Sequence, residues 1–387
     1  MQMSPRELLR IARKIPAWQI LLSGFLLAAV AGYSHIAYYG QAVHGQLAML
    51  AAMRPINAYL EDPHVDPALK RQLMKVQQIR NFAVQELGLP ANESYTHYAD
   101  IGREYVVWNV IATPELSMQP VQWCYPVAGC ANYRGYYDKD DALSHARTLQ
   151  AAGYDVHVAG VPAYSTLGWF SDPVLSTFIH YSEPQLARLV FHELAHQVLF
   201  AHGDSEFNES FAMAVEEAGV ERWIARYGDE SMRQRHLKNE SRKKDFLALL
   251  EKYQARLQRV YASEASNDEK RARKAEIFRA LRDEFQHVRV AWNGYAGYDG
   301  WFAQKLTNAH LASIATYHNF VPGFKALLAK QTKLPEFYET VRSLAALPLK
   351  LRHEQLTQLG QPEMRSTPVS QPEQGKKLAP VLTETTG

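Results

Sequence analysis

The chain has 387 residues, 47% hydrophobic and 21% charged, which is enough apolar material for one large domain or two smaller ones with a proper core. A formal net charge of +2, with no basic run carrying interleaved aromatics, argues against a nucleic-acid partner. Its two cysteines, Cys124 and Cys130, have no further Cys pair to complete a metal knuckle. In an exported chain they read as a disulfide across a small loop.

Export is the expectation from the N-terminus. Arg6, Arg10, Arg13 and Lys14 precede an apolar run from Ile15 to about Gly32. Positive charge before such a run keeps the N-terminus in the cytoplasm and sends the body across. The run is near the short limit for a spanning helix, and Ala29-Val30-Ala31 has the form of a signal-peptidase site. Residues 1–34 therefore read as a membrane anchor or a cleaved signal segment.

Beyond this segment, 42–54 and 66–87 read as helices and 104–111 as a strand. An apolar stretch covers 120–125. A helix starts at Asp140-Asp141 and is closed by Gly153, and 154–160 alternates like a strand. Residues 163–170 are the candidate for a sheet edge onto which an extended peptide could pair.

The chemistry is concentrated in His192-Glu193-Leu194-Ala195-His196. Ser182-Glu183-Pro184-Gln185 forms a capping box before it, and Leu186, Leu189, Val190, Leu194 and Val198 recur at helical spacing. The motif therefore falls mid-helix, with both imidazoles one turn apart on one face. Zinc takes such a pair as two ligands, and Glu193 beside them can serve as general base.

A third ligand is needed, and two residues compete. Glu209 falls in the first turns of a second helix, capped by Asp204 or Ser205 and running to about Tyr227. The segment Asn208-Glu209-Ser210-Phe211-Ala212 resembles the NExxA segment of gluzincin peptidases, whose Glu is the third ligand. His202 completes HExxHxxLxxH, similar to the metzincin signature, but Leu199 stands where that signature has Gly and is expected to continue the helix. Met213 lies inside an expected helix, so no Met-turn is evident. Glu216, seven residues after Glu209, is placed to orient a ligand histidine.

After this pair, 230–290 reads as a long antiparallel helical hairpin. Its stripes are Phe246, Leu249, Leu250, Tyr253, Leu257, Val260 and then Ile277, Phe278, Leu281, Phe285, Val288. A Gly- and aromatic-rich stretch covers 292–303, helices follow near 306–315 and 323–347, and the composition turns polar from about 361. A donor for the oxyanion of a tetrahedral intermediate is also required. Tyr298, in the glycine-rich stretch, is the choice, with Tyr164, Tyr181 and His318 open as alternatives.

Several of these segments together resemble a family of bacterial predicted aminopeptidases. They are Cys124 to Cys130 with Tyr133-Arg134-Gly135-Tyr136, Val161 to Phe170 with Asp172-Pro173, Phe191 to Phe200, Asn208 to Trp223, and Gly297 to Phe302. The resemblance covers roughly residues 37 to 350. It implies a zinc-dependent peptidase fold and aminopeptidase activity on peptides, while the inner-membrane or periplasmic location is the expectation from the N-terminal segment. Many members look like lipoproteins, but no cysteine precedes Cys124 here, so a lipid anchor on that segment is not expected. The Gly-x-Met-Glu-Asn signature of large gluzincin aminopeptidases is absent, so exopeptidase action is implied by the resemblance alone.

The expected fold is α+β and mostly helical. A zincin-like catalytic core over 35–228 would hold a small mixed sheet, the HExxH helix and a second, glutamate-bearing helix. The helical hairpin takes 229–290, a C-terminal helical part completing the catalytic domain takes 291–360, and a disordered tail takes 361–387. One zinc ion per chain would be held by His192, His196 and Glu209, with Glu193 and Tyr298 catalytic. The competing reading is a non-catalytic envelope scaffold or chaperone on the same fold. An intramembrane protease is excluded, because the HExxH helix carries Gln185, Arg188 and Gln197.

Overall fold

The computed structural model describes residues 38–125, 129–331 and 333–361, and of 315–317 the backbone alone. The N-terminal apolar run and the polar tail lie outside the described residues. Among the described residues no helix is long and apolar enough to cross a membrane.

A helix over 38–51 (α1) leads into strand Met53–Pro55 (β1), helix Ile56–Glu61 (α2) and helix Pro67–Leu87 (α3). Asp66 starts α3 by accepting the Ala68 N–H at 2.8 Å, and Pro67 costs nothing in the first turn because its N–H would be unpaired anyway. Strands His97–Ala99 (β2), Val107–Pro114 (β3), Trp123–Tyr125 (β4), Gly129–Ala131 (β5) and Arg134–Tyr136 (β6) follow. Helix Lys139–Ala151 (α4) is capped by Asp138, which accepts from Asp140 and Asp141, and it ends before Gly153 at φ 85°. Strands Tyr154–Val161 (β7) and Val174–Leu175 (β8) complete the sheets.

The sheets are small. β6, β3 and β7 form an antiparallel sheet, with Val107 to Pro114 paired against Val161 to Tyr154, and α4 packs on it. β1, β2 and β8 form a mixed sheet, antiparallel on one side and parallel on the other. β4 and β5 form a separate hairpin in which Cys124 and Cys130 are directly opposite and disulfide-bonded.

The expected edge strand over 163–170 is instead a loop. Asp172 accepts the Thr166 N–H at 3.1 Å, and the chain turns through positive φ at Leu167 and Gly168. A side chain that captures a backbone donor locally competes with any strand ladder.

Two helices carry the centre of the molecule, Glu183–Val198 (α5) and Ser205–Tyr227 (α6). The capping box at Ser182 is present, with Gln185 Oε1 accepting the Ser182 N–H at 3.2 Å. Gly219 lets α6 approach α5 and α3 closely. A Cβ there would fall 2.6 Å from the Phe191 ring and 2.8 Å from Leu87. Phe82, Phe191, Phe211 and Trp223 form the main core around this crossing.

Leu199 does not continue the HExxH helix. It caps it in extended conformation, φ −155° and ψ 138°. The reason lies downstream: the Asn208 amide accepts the Ala201 N–H at 2.7 Å and donates to the Ala201 carbonyl at 2.9 Å. That pins 199–204 as a turn, and Asp204 then caps α6 through the Phe207 N–H at 3.2 Å.

Helices Glu230–Ala262 (α7) and Asn267–Ala291 (α8) form the hairpin, with a capping box at Ser266 and Glu269. The two apolar stripes face each other, Leu257, Leu281 and Phe285 being almost completely buried. The hairpin is tied down at both ends. Lys274 reaches Asp155 at 2.6 Å near its tip, and Lys243 reaches Glu217 at 2.9 Å near its base.

The C-terminal part holds Asp299–Ala303 (α9), Asn308–His318 (α10), Val321–Ala329 (α11), Leu334–Ala345 (α12) and Leu349–Gly360 (α13). The expected single helix over 323–347 is two, because Pro335 has no N–H to continue a helix and starts a new one instead. Phe324, Phe337 and Leu356 join the main core against α6. The class is α+β and mostly helical.

Candidate metal centre

The α5–turn–α6 unit brings three polar side chains to one point. The Nε2 atoms of His192 and His196 are 3.2 Å apart, and Glu209 Oε2 lies 3.2 Å from the first and 3.6 Å from the second. Their ligand atoms all fall within 4.8 Å of one another, and this is the one such group of His, Cys, Asp or Glu among the described residues. These residues could hold a metal ion.

The second nitrogen of His192 is fixed from behind. Its Nδ1 is 2.9 Å from Glu216 Oε2. A proton shared on that side leaves the Nε2 lone pair aimed at the shared point, which is how a ligand histidine is oriented. Glu216 is in turn held by Arg188, whose other arm takes Glu240 on α7, both at 2.6 Å. His196 Nδ1 is buried with no hydrogen-bond partner among the described residues.

The charges show what is unbalanced. Burial would raise the Glu209 carboxyl, but His196 and His192 overcome it and hold it at about 2. Burial would lower His192, yet Glu209 and Glu216 raise it well above the usual imidazole range. Two imidazoles and a carboxylate crowded around one point thus favour a positive charge between them. Burial raises the Glu193 carboxyl, with His192 and His196 opposing. Glu193 is buried beside the two histidines, and its burial favours the protonated carboxyl.

His202 is exposed and packs against the Phe200 ring at 5.5 Å, apart from the triad. Tyr298 is not brought to the triad either. Its ring stacks on Phe246 at 4.2 Å, and its charged neighbours are Glu240, Arg188 and Arg242. The glycine-rich stretch folds onto the hairpin because its aromatics bury there, so its phenol faces a different cavity. Tyr164 is occupied in a network with Tyr137 and Gln46.

Tyr133 was not singled out by sequence reasoning. It lies in the bend between β5 and β6. Burial pushes its phenol up, and the next causes are the charges of Glu209 and Glu193. The stapled hairpin delivers it: Gly129, at φ 77°, presses so close to the turn after α5 that a Cβ would fall 2.9 Å from Gly203 N. The available signal was the proximity of Tyr133 to the cysteines.

A family model described as "Putative aminopeptidase" matches residues 37–356. The chain belongs to that family. No curated protein and no solved structure matches the chain. Membership of that family supports a peptidase activity, and the triad sits well inside the matched span.

Proposed function

We propose that the protein is a zinc-dependent metallopeptidase acting as an aminopeptidase, with one zinc ion per chain held by His192, His196 and Glu209. The observation that carries this reading is the convergence of two Nε2 atoms and one carboxylate oxygen within 4.8 Å. Two neutral histidines and one carboxylate suit zinc in a hydrolase, and they leave a position for water. The donors present fit the ion, since Glu216 holds His192 Nδ1 so that Nε2 faces inward.

Bound zinc would supply Lewis acidity, lowering the pKa of water and polarising the scissile carbonyl. The protein residues do the rest. Glu193 takes the proton of the attacking water and passes it to the leaving amine. Its raised carboxyl favours holding that proton between the two steps. Tyr133, among the same carboxylates, replaces Tyr298 as the donor to the developing oxyanion. The disulfide suits an oxidising compartment. With the basic residues before the 15–32 run, it supports an inner-membrane or periplasmic protein whose catalytic body faces the periplasm.

Elemental analysis of wild type, Glu209→Ala and His202→Ala tests the reading. The expected result is about one zinc per chain, lost in Glu209→Ala and kept in His202→Ala. A wild type without metal overturns it and favours a binding protein on this fold.

A further inference from the structure

A cavity of about 760 Å³ opens on the side of Glu216 away from the histidine triad. Its walls are the N-terminal half of α5, the middle of α6, the base of α7 and the aromatic stretch at 295–298. We propose that this cavity is a carboxylate-binding pocket for a peptide, with Arg235 and Arg242 holding the anion.

The charge balance favours an anion. Arg188 is shared between Glu216 and Glu240 in its wall, Glu216 also faces His192 Nδ1 at 2.9 Å, and Glu183 is matched by Lys75 at 3.2 Å. Lys243 is matched by Glu217. Arg235 and Arg242 remain, and neither has a carboxylate within ion-pair distance among the described residues. Both lie on α7, seven residues apart and so on one face.

Arg242 is also preshaped. Its guanidinium lies over the Tyr295 ring at 4.0 Å, and one nitrogen donates to Asn239 at 3.2 Å. Stacking fixes the plane and leaves the remaining donor edge for a planar, two-oxygen partner, which a carboxylate is. Met213, Met232 and Tyr298 give the same cavity an apolar side, suited to the body of a peptide residue.

The cavity is coupled to the triad from behind: Arg188 holds Glu216 at 2.6 Å, and Glu216 holds His192 Nδ1 at 2.9 Å. The favoured ligands would be short peptides with a free C-terminus or with an acidic side chain. This inference rests on the peptidase reading only for naming a peptide as the ligand.

The test is calorimetric titration of the full chain with N-acetylated dipeptides, which an aminopeptidase cannot turn over. Acetyl-Phe-Gly against its amide probes a terminal carboxylate. Acetyl-Phe-Glu-amide against acetyl-Phe-Gln-amide probes a side-chain one. At least one acid should bind about tenfold tighter than its neutral counterpart. Arg242→Met and Arg235→Gln should each shrink that ratio, and Arg242→Lys should retain part of it. Equal binding of acid and neutral forms overturns the proposal, as does a ratio that survives both substitutions. A chain without zinc that still prefers the acid keeps this pocket while the peptidase reading fails. A zinc-loaded, active chain with no preference fails the pocket alone.

Discussion

Two long helices of this protein treat buried polar groups in opposite ways. α6 buries 13 of its 23 residues, among them Asn208, Ser210 and Glu216. α7 buries 5 of its 33, all apolar or aromatic. In α6 each buried polar group is matched: Asn208 holds the turn at Ala201, and Glu216 holds His192 and Arg188. In the hairpin an apolar stripe faces inward and charges face water. A buried unpartnered polar group costs more than a hydrogen bond returns. Polar groups are therefore tolerated inside α6 where neighbours answer them, and their arrangement is what makes a centre. The hairpin needs no such answer, because it supplies shape and a cationic face.

If that contrast is right, substitutions in the two units should separate chemistry from stability. The largest effect is expected at Glu193→Gln. Removing the general base should lower peptide cleavage about 10³-fold while zinc stays near one per chain. A variant that loses zinc in parallel with activity would give Glu193 a structural role instead.

Next comes Phe285→Ala in the hairpin, whose ring stacks on Phe302 at 3.7 Å. It should destabilise by about 3–5 kcal/mol in a urea melt. Zinc content should not change, because no ligand lies in that cluster. Loss of zinc there would erase the distinction between the two units.

The smallest effect is at their junction. Burial pushes the Glu217 carboxyl up, but Lys243 and Lys325 overcome it and hold it at about 2, against an ordinary value of 4.5. A carboxylate held below its unfolded value stabilises the fold above that value and stops doing so as pH falls through the folded one. Glu217→Gln should therefore cost about 1–2 kcal/mol near pH 7. The gap to wild type should close between about pH 5 and pH 2. A gap that stays constant with pH would assign the loss to packing.

The sequence by itself determined the local features. Ser182 with Gln185, and Asp204, mark helix starts with side chains that satisfy nearby backbone groups, and Gly153 marks a helix end; such features form within a few residues. The spacing of His192 and His196 fixed their common face, because an α-helix repeats every 3.6 residues. The hairpin was legible from its two stripes for the same reason.

Only the tertiary structure decided the rest. That Leu199 leaves the helix depends on Asn208, which must first be carried back by α6. That 163–170 is a loop depends on Asp172, which the chain anchors against Gln197 of the HExxH helix at 2.9 Å. The charges of Glu209 and Glu193 are felt by Tyr133 and not by Tyr298, because the disulfide hairpin packs on the Gly203 turn while the glycine-rich stretch packs on Phe246. Periodicity encodes which face of an element is apolar, but which element that face meets is settled by burial summed over the whole core.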